Sequence, residues 1–434
     1  MSETTRRVVI TGLGVIAPNG NTREAFWQAC IQGHSGIRRI TRFDASALPV
    51  KIAGEVHDFS PMQHGLTPDE VQTLTRPTQF ALAAANQALH DATLDTNFCT
   101  EERERTGVYV GTAMSFVEEG ERLWTHFTNY GRYDNEEVND ALQICITPAT
   151  LMPDAAAVSI AAHHRFYGPC ATIATGCSAG ADAIGEAFWL IQEGQADRML
   201  AGGTDAAICP IGLNAFSVIG ALSTSYNDRP KEASRPYDQK RDGFIMAEGA
   251  AMLLLEEREL ALARGAHIYA EVLGFASNSN AYHMTSLPEH GEPLQQLLKQ
   301  ALTECALSPA DVDYINSHGS STQPNERAET AAYKAVFGKR AYAIPISATK
   351  SMIGHTQGAA SAIEAVVTAL VLDQQLIPPT LNQEYPDPLC DLDYVPNVAR
   401  SHPVRIALSH SSGFGGVNSV LVFAQTGEHD EQAK

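Results

Sequence analysis

The sequence contains no Cys-x-x-Cys pair: its eight cysteines, at 30, 99, 145, 170, 177, 209, 305 and 390, follow no regular spacing. That pattern argues against a disulfide frame and against a zinc site, and it suits a reduced, cytoplasmic setting. Positive charge is scarce. Lys and Arg number 30 against 50 Asp and Glu, a net charge of −20, which argues against general nucleic-acid binding. Any acidic partner would need a local basic patch. No apolar run is long enough, free of polar interruption, to cross a membrane. Residues Met1 to Arg7 lead straight into a strand and lack the apolar segment of a signal peptide. No stretch convincingly repeats another.

What the chain does have is apolar content, 44% of it, enough for one large domain or two fused ones. Arg7 to Pro18 reads as a buried strand running into a glycine turn. It satisfies GxGxxA, but Pro18-Asn19-Gly20 breaks the helix that would receive a pyrophosphate. A dinucleotide site is therefore rejected, and the next helix is expected to be capped at Asn21 or Thr22. Residues 64–95 read as helical around the apolar run Phe80 to Ala85. Strands are expected at 106–114, 199–206, 250–255, 268–275, 312–316, 344–348, 405–409 and 418–424, and helices at 291–306, 326–337 and 358–372. Residues 117–145, acidic and aromatic, read as a surface excursion towards a subunit contact, and Gly427 to Lys434 as a loose tail. The alternation predicts an α/β fold of two halves, 1–256 and 257–434, each with a largely parallel sheet.

The chemistry centres on Thr172-Ile173-Ala174-Thr175-Gly176-Cys177-Ser178-Ala179-Gly180, a strand turning into the small-residue helix that follows. Unpaired amides and the helix dipole at such a turn favour a thiolate, and the small neighbours leave room for a substrate. A packed core cysteine fits the same stretch. Two histidines sit in small-residue turns after strands, in Ser317-His318-Gly319-Ser320-Ser321-Thr322 and in Lys350-Ser351-Met352-Ile353-Gly354-His355. Each singly suits a hydrogen-bonded structural histidine as well as a catalytic one. A third turn, Ser412-Gly413-Phe414-Gly415-Gly416, has no titratable group but offers glycine-freed amides for a developing oxyanion.

In that order, Cys177, His318, Lys350, His355 and the Gly-Phe-Gly-Gly turn resemble the β-ketoacyl-[acyl-carrier-protein] synthases of the thiolase superfamily. The likeness runs from Val8-Val9-Ile10-Thr11-Gly12 to Val420-Leu421-Val422-Phe423 and includes Ala233-Ser234-Arg235-Pro236-Tyr237-Asp238, Arg241-Asp242-Gly243-Phe244 and Ala281-Tyr282-His283-Met284. It implies a thiolase-like layered α-β-α-β-α core and a ping-pong acyl transfer. Cys177 would take an acyl group from a carrier-protein thioester. His318 and His355 would hydrogen-bond a malonyl thioester through Nε2 as it loses CO2. The N–H groups of Cys177 and Phe414 would form the oxyanion hole. By the same resemblance Lys350 pairs with Glu329, and Ser320 and Thr322 grip the phosphopantetheine arm. Phe414 is the gate between Gly413 and Gly415, and Met114 marks the mouth of the acyl tunnel. No metal or redox cofactor is implied; acyl carrier protein and a dimer mate are.

Departures from ordinary fatty-acid members narrow the reading. Those carry Phe-Gly-Phe-Gly-Gly where this chain has Ser412-Gly413-Phe414-Gly415-Gly416, and Thr-Ala-Cys where it has Thr175-Gly176-Cys177. These choices are similar to the catalytic alpha ketosynthase subunits of type II polyketide synthases, which pair with a chain-length factor lacking the cysteine. Loss of the ring at 412 would widen the pocket, and Glu326 replaces the usual Asp. The early helix that commonly docks the carrier offers only Arg76 beside two carboxylates, so Arg38, Arg39, Arg42, Arg229 and Lys231, or a partner subunit, are the substitutes. Residues from a dimer mate, in 144–154, would help to set tunnel depth. Alternatives are a homodimeric fatty-acid elongating synthase, a cysteine acyl-hydrolase and a catalytically silent partner subunit.

Overall fold

The computed structural model describes residues 6–114, 116–127 and 152–426. The predicted crossing segment 144–154 falls largely outside these residues, as do most of the excursion 117–145 and the whole of the tail. Strands β1 Val8–Ile16, β2 Arg38–Arg39, β3 Ile52–Ala53, β4 Thr106–Gly111, β5 Cys170–Ile173, β6 Arg198–Asp205 and β7 Gly249–Glu257 precede β8 Ala270–Ser279 and β9 Tyr314–Asn316. They are followed by β10 Ile346–Ser347, β11 Leu376–Ile377, β12 Arg400–Ser401, β13 Ile406–Ser412 and β14 Val417–Ala424. Ten of them form one sheet in the order β10-β9-β13-β14-β8-β1-β7-β6-β4-β5, while β2-β3 and β11-β12 are separate ribbons.

The sheet repeats itself about its centre. Counting outwards from β1, the pairs β1/β7 and β7/β6 are antiparallel and β6/β4 and β4/β5 parallel. From β8, the pairs β8/β14 and β14/β13 are antiparallel and β13/β9 and β9/β10 parallel. The two sequences join through three antiparallel pairs between β1 and β8, such as Val8 with Val272. The sheet is therefore mixed rather than largely parallel. Strands β1 and β7 are buried throughout, and a continuous apolar run carries no periodic signal of strand direction.

Helices Ala179–Gln192 and Ala360–Gln374 pack on each other and touch strands of both halves, forming the middle layer. Their composition accounts for this position. Residues Ala360 to Leu372 are buried without exception, and a helix apolar all round has no face to give to water. Helix Arg76–Asp91 covers the outer side at β1 and β7, and helix Glu292–Glu304 that at β8 and β14. Gly12 and Gly14 lie within β1, not in a turn. A Cβ there would stand 2.1 Å from the Ala88 carbonyl oxygen and 1.9 Å from that of Ala84, so the missing side chains let the outer helix rest on the strand. Thr22 caps the next helix, accepting a hydrogen bond from the Ala25 N–H at 3.2 Å. The stretch expected as one helix over 64–95 is broken at Gly65, which has φ +86°, and at the extended Leu74. Among the described residues, no helix is long and apolar enough to cross a membrane.

Candidate active site

Four distant segments meet at the top of the middle layer. After β5, Gly176 takes φ +65°, a region disfavoured for residues with a Cβ, and Gly176–Ser178 makes one 3-10 turn before helix Ala179–Gln192. Cys177 therefore stands just ahead of the helix, 5% exposed. His318 follows β9, and His355 follows the short helix Lys350–Ile353; their rings lie 5.3 Å apart at 76°. The turn between β13 and β14 closes the fourth side. A Cβ on Gly413 would stand 3.1 Å from the Cys177 nitrogen, and the Phe414 N–H donates to the Cys177 sulfur. A cavity of about 330 Å³ is lined by Cys177, His318, His355, Ser320, Thr322 and Phe414, among others.

The hydrogen bonds determine which ring nitrogens carry protons. His355 Nδ1 accepts from the Gln357 N–H at 3.1 Å. His318 Nδ1 faces the Lys350 ammonium, which has no lone pair to offer, at 3.4 Å. In both rings Nδ1 is thus the acceptor and Nε2 bears the hydrogen. Burial first, and then the Lys350 charge, hold both imidazoles well below the ordinary histidine range, so both are neutral donors at physiological pH.

Lys350 does not pair with Glu329. Its ammonium is bound by Glu364 and donates to the His318 carbonyl at 2.7 Å. Glu329 lies on the other side of the His318 turn, where it accepts from the Tyr237 hydroxyl at 2.6 Å and the Gly319 N–H at 3.2 Å. Burial, reinforced by Glu326, raises its carboxyl above the usual range. Glu364 had a signal in the sequence, a lone carboxylate inside an Ala-rich apolar helix, and a buried carboxylate needs a partner.

The thiolate expected at 177 is also revised. Burial pushes the Cys177 thiol up to about 11, against the opposing pull of the Lys350 charge and the Phe414 N–H. The resting group is a thiol. Of the remaining predicted residues, Ser320 and Thr322 line the cavity with hydroxyls 3.0 Å apart. Gly413 lines it too, whereas Gly415 is not among the lining residues; its N–H donates at 2.8 Å to the carbonyl of Met284, which is. Met114 is not among the lining residues. It packs with Phe216 against a neighbouring apolar cluster, and Phe216 stacks on Phe414 with ring centroids 5.8 Å apart.

Glu326 uses its extra methylene to span two groups. It accepts from the Ser321 N–H at 2.7 Å and approaches Arg241 Nε to 2.8 Å. Ser321 has φ +71°, so the loop bearing Ser320 and Thr322 is held in a disfavoured conformation by these contacts. Shortening the side chain as Glu326→Asp is expected to break one of the two, costing about 1–3 kcal/mol of stability. It is also expected to raise KM for a substrate entering this cavity more than it lowers kcat, measured by thermal unfolding and steady-state kinetics.

The expected basic patch is largely neutralised. Arg42 binds Glu118 and Glu248, Arg76 binds Glu248, Arg39 binds Asp228 and Arg229 binds Glu232. Arg38 and Lys231 line a separate groove with His34 and His57.

A buried free cysteine and two neutral Nε2–H imidazoles in one cavity, on a layered core of repeated halves, define a condensing acyltransferase of thiolase-like architecture. Comparison with known proteins agrees. The profile described as beta-ketoacyl synthase, N-terminal domain, matches residues 5–261, and that described as beta-ketoacyl synthase, C-terminal domain, matches residues 269–384. The chain is 43% identical to the tetracenomycin polyketide synthase ketoacyl synthase alpha subunit of Streptomyces glaucescens, over 98% of each chain. It is equally 43% identical to a 3-oxoacyl-[acyl-carrier-protein] synthase 2 of Synechocystis sp., over 96% of this chain and 98% of the other. Among solved structures it is similar to a type II polyketide ketosynthase bound to the hexaketide in complex with its acyl-carrier protein (TM-score 0.88, 38% identity, 98% of this chain and all of that one). The ishigamide ketosynthase/chain length factor also matches at TM-score 0.88, with 34% identity over 98% of this chain and all of the other. The chain belongs to the beta-ketoacyl synthase family.

Proposed function

We propose that this chain is the ketosynthase (alpha) subunit of a type II polyketide synthase, extending an acyl chain held on Cys177 with malonyl-acyl-carrier protein. The observation that carries the reading is the convergence of Cys177, His318 and His355 on one cavity. In the loading half-reaction the Cys177 sulfur attacks the thioester carbonyl while the N–H groups of Cys177 and Phe414 face the oxyanion. The thiol proton ends on the departing pantetheine sulfur, so this step is proton-neutral overall. In the second half-reaction malonyl thioester loses CO2, and the two Nε2–H donors meet the charge that moves onto the thioester oxygen. The carbanion forms a carbon–carbon bond to the acyl carbonyl. Cys177 leaves as a thiolate and takes one proton from water, favoured by its high affinity for it.

Lys350 acts through others, keeping both imidazoles neutral, and Glu364 balances its charge. Ser320 and Thr322 hold the pantetheine arm. Every step is carried by side chains and amides of this chain, so the reaction as proposed uses no metal or redox cofactor. Acyl carrier protein and a homologous dimer mate are the proposed partners, in keeping with the solved complexes of its relatives. Seven of the eight cysteines are described and all seven are free, which suits the proposed cytoplasmic setting. Residues 1–256 and 257–434 are read as the two halves, supported by the repeated strand order.

Polyketide rather than fatty-acid chemistry is favoured by Ser412, which lines the cavity where a phenylalanine would fill it. The fatty-acid reading is the runner-up, since the Synechocystis relative is as similar as the polyketide one. Intact-protein mass spectrometry of the enzyme purified with its dimer mate separates them. An oxygen-rich poly-β-keto adduct on Cys177 is expected, and a saturated acyl adduct would favour the fatty-acid reading.

A further inference from the structure

Beneath the Gly413–Gly416 turn runs a buried chain of polar side chains that the proposed reaction does not use. Tyr333 Oη lies 2.9 Å from His410 Nδ1 and His410 Nε2 lies 2.9 Å from Ser412 Oγ; because the one Ser412 hydrogen goes to Asn418, Nε2 carries the ring hydrogen and the Tyr333 hydroxyl donates to Nδ1. The Ser412 hydroxyl donates to Asn418 Oδ1 at 2.7 Å. Asn418 Nδ2 then donates to Asn278 Oδ1 at 3.0 Å and to Asn280 Oδ1 at 2.8 Å. The Asn280 backbone N–H closes onto the Gly416 carbonyl at 2.7 Å. Tyr333, His410, Ser412 and Asn418 are all buried. At its far end His410 Nδ1 lies 3.6 Å from Glu329, which accepts from the Gly319 N–H, next to His318.

Ser412 and Asn418 are direct partners in the antiparallel β13/β14 register, so their bond spans the base of the hairpin. Above it, Gly415 and Gly416 take φ +88° and +84°, a stretch with little resistance to rearrangement. The serine hydroxyl has one hydrogen and two lone pairs, so it can give to Asn418 and receive from His410 at once. A phenylalanine ring at this position does neither.

We propose that Ser412 is a positioning residue: its hydroxyl, held between His410 and Asn418, locks the base of the β13–β14 hairpin, so that access to Cys177 opens by movement of Gly413 to Gly416 alone. The proposal rests on reading Phe414 as the gate over Cys177. Its test is made on the thiol itself, so it does not depend on the condensation being correct.

The experiment alkylates Cys177 with iodoacetamide and, separately, with the bulkier N-phenylmaleimide, and follows the Cys177 peptide by mass spectrometry. The ratio of the bulky to the small rate cancels changes in thiol acidity and reports access. Exposed Cys99 and Cys170 serve as internal references. Ser412→Thr keeps the hydroxyl and is expected to hold the ratio within about twofold of the parent. Ser412→Val has the same shape without it and is expected to raise the ratio roughly three- to tenfold, the range one hydrogen bond supports. The references should not move. Asn280→Ala, at a half-buried position outside the core, is expected to raise the ratio in the same direction and carries the test should the valine variant fail to fold. Equal ratios for the threonine and valine variants, or an unchanged ratio in Asn280→Ala, would overturn the proposal. A protein that shows the expected ratios but does not extend acyl chains would instead refute the functional reading alone.

Discussion

Replacing either imidazole is expected to stop extension while leaving loading. In His318→Ala or His355→Ala, acyl transfer from a carrier thioester to Cys177 should proceed, because the oxyanion donors proposed for it are backbone N–H groups. Malonyl decarboxylation and condensation should fall by about 10²–10³-fold for each donor lost, the usual cost of removing one preorganised hydrogen bond to developing charge. The effects should not multiply in the double variant, since the two Nε2–H groups serve one oxygen. Rapid-quench measurement of Cys177 acylation beside CO2 release distinguishes the two half-reactions. Loss of loading in either variant, at parental levels, would place that histidine at the first step.

The second large effect concerns the ion pair. Lys350→Met leaves the buried Glu364 carboxyl without its cation, and breaking such a pair costs about 3–5 kcal/mol. Glu364 titrates near 7 because burial outweighs the lysine, so part of this cost is relieved by protonation as pH falls. Removing the positive charge also raises the affinity of His318 and His355 for protons. Only the neutral rings donate through Nε2 with Nδ1 as acceptor, so the acid limb of the condensation profile should move to higher pH. Glu329→Gln, which leaves the Lys350 pair intact, should cost less than about 1.5 kcal/mol and leave that limb near its parental place. Denaturant unfolding and a pH–rate profile of the three proteins test this. Equal destabilisation by the Lys350 and Glu329 variants would restore the pairing that the resemblance implied.

The positions of the site were legible in the sequence, and the resemblance assigned their roles. The Cys177 turn, both histidine turns and the Gly-Phe-Gly-Gly turn stood out because each is a short local pattern at a strand end, and the structure brings all four to one cavity. Strand positions followed from apolar runs, but their directions did not, because β1 and β7 are buried on both faces and have no alternation to read. Pairing was the other blind spot. Lys350 meets Glu364 on the central helix Ala360–Gln374, and only three-dimensional packing decides between that carboxylate and Glu329. The cysteine shows how one effect can mask another. A helix start favours the thiolate, but full burial against small residues opposes it more strongly, and burial at a single side chain is not written in a local motif. The basic candidates show the same limit: Arg39 and Arg42 look free along the chain, and each meets an acid distant in sequence.

The central claim is that one sulfur receives an acyl group and two neutral imidazoles direct a carbon nucleophile onto it. Its most direct test is a single turnover. Enzyme pre-acylated on Cys177 is mixed with malonyl-carrier protein, and both proteins are weighed by intact mass spectrometry. The account predicts that the Cys177 adduct disappears, one CO2 is released, and the carrier gains a β-ketoacyl chain two carbons longer than the one loaded. An adduct that leaves as free acid, with the carrier still bearing malonate, would contradict it and point to hydrolysis.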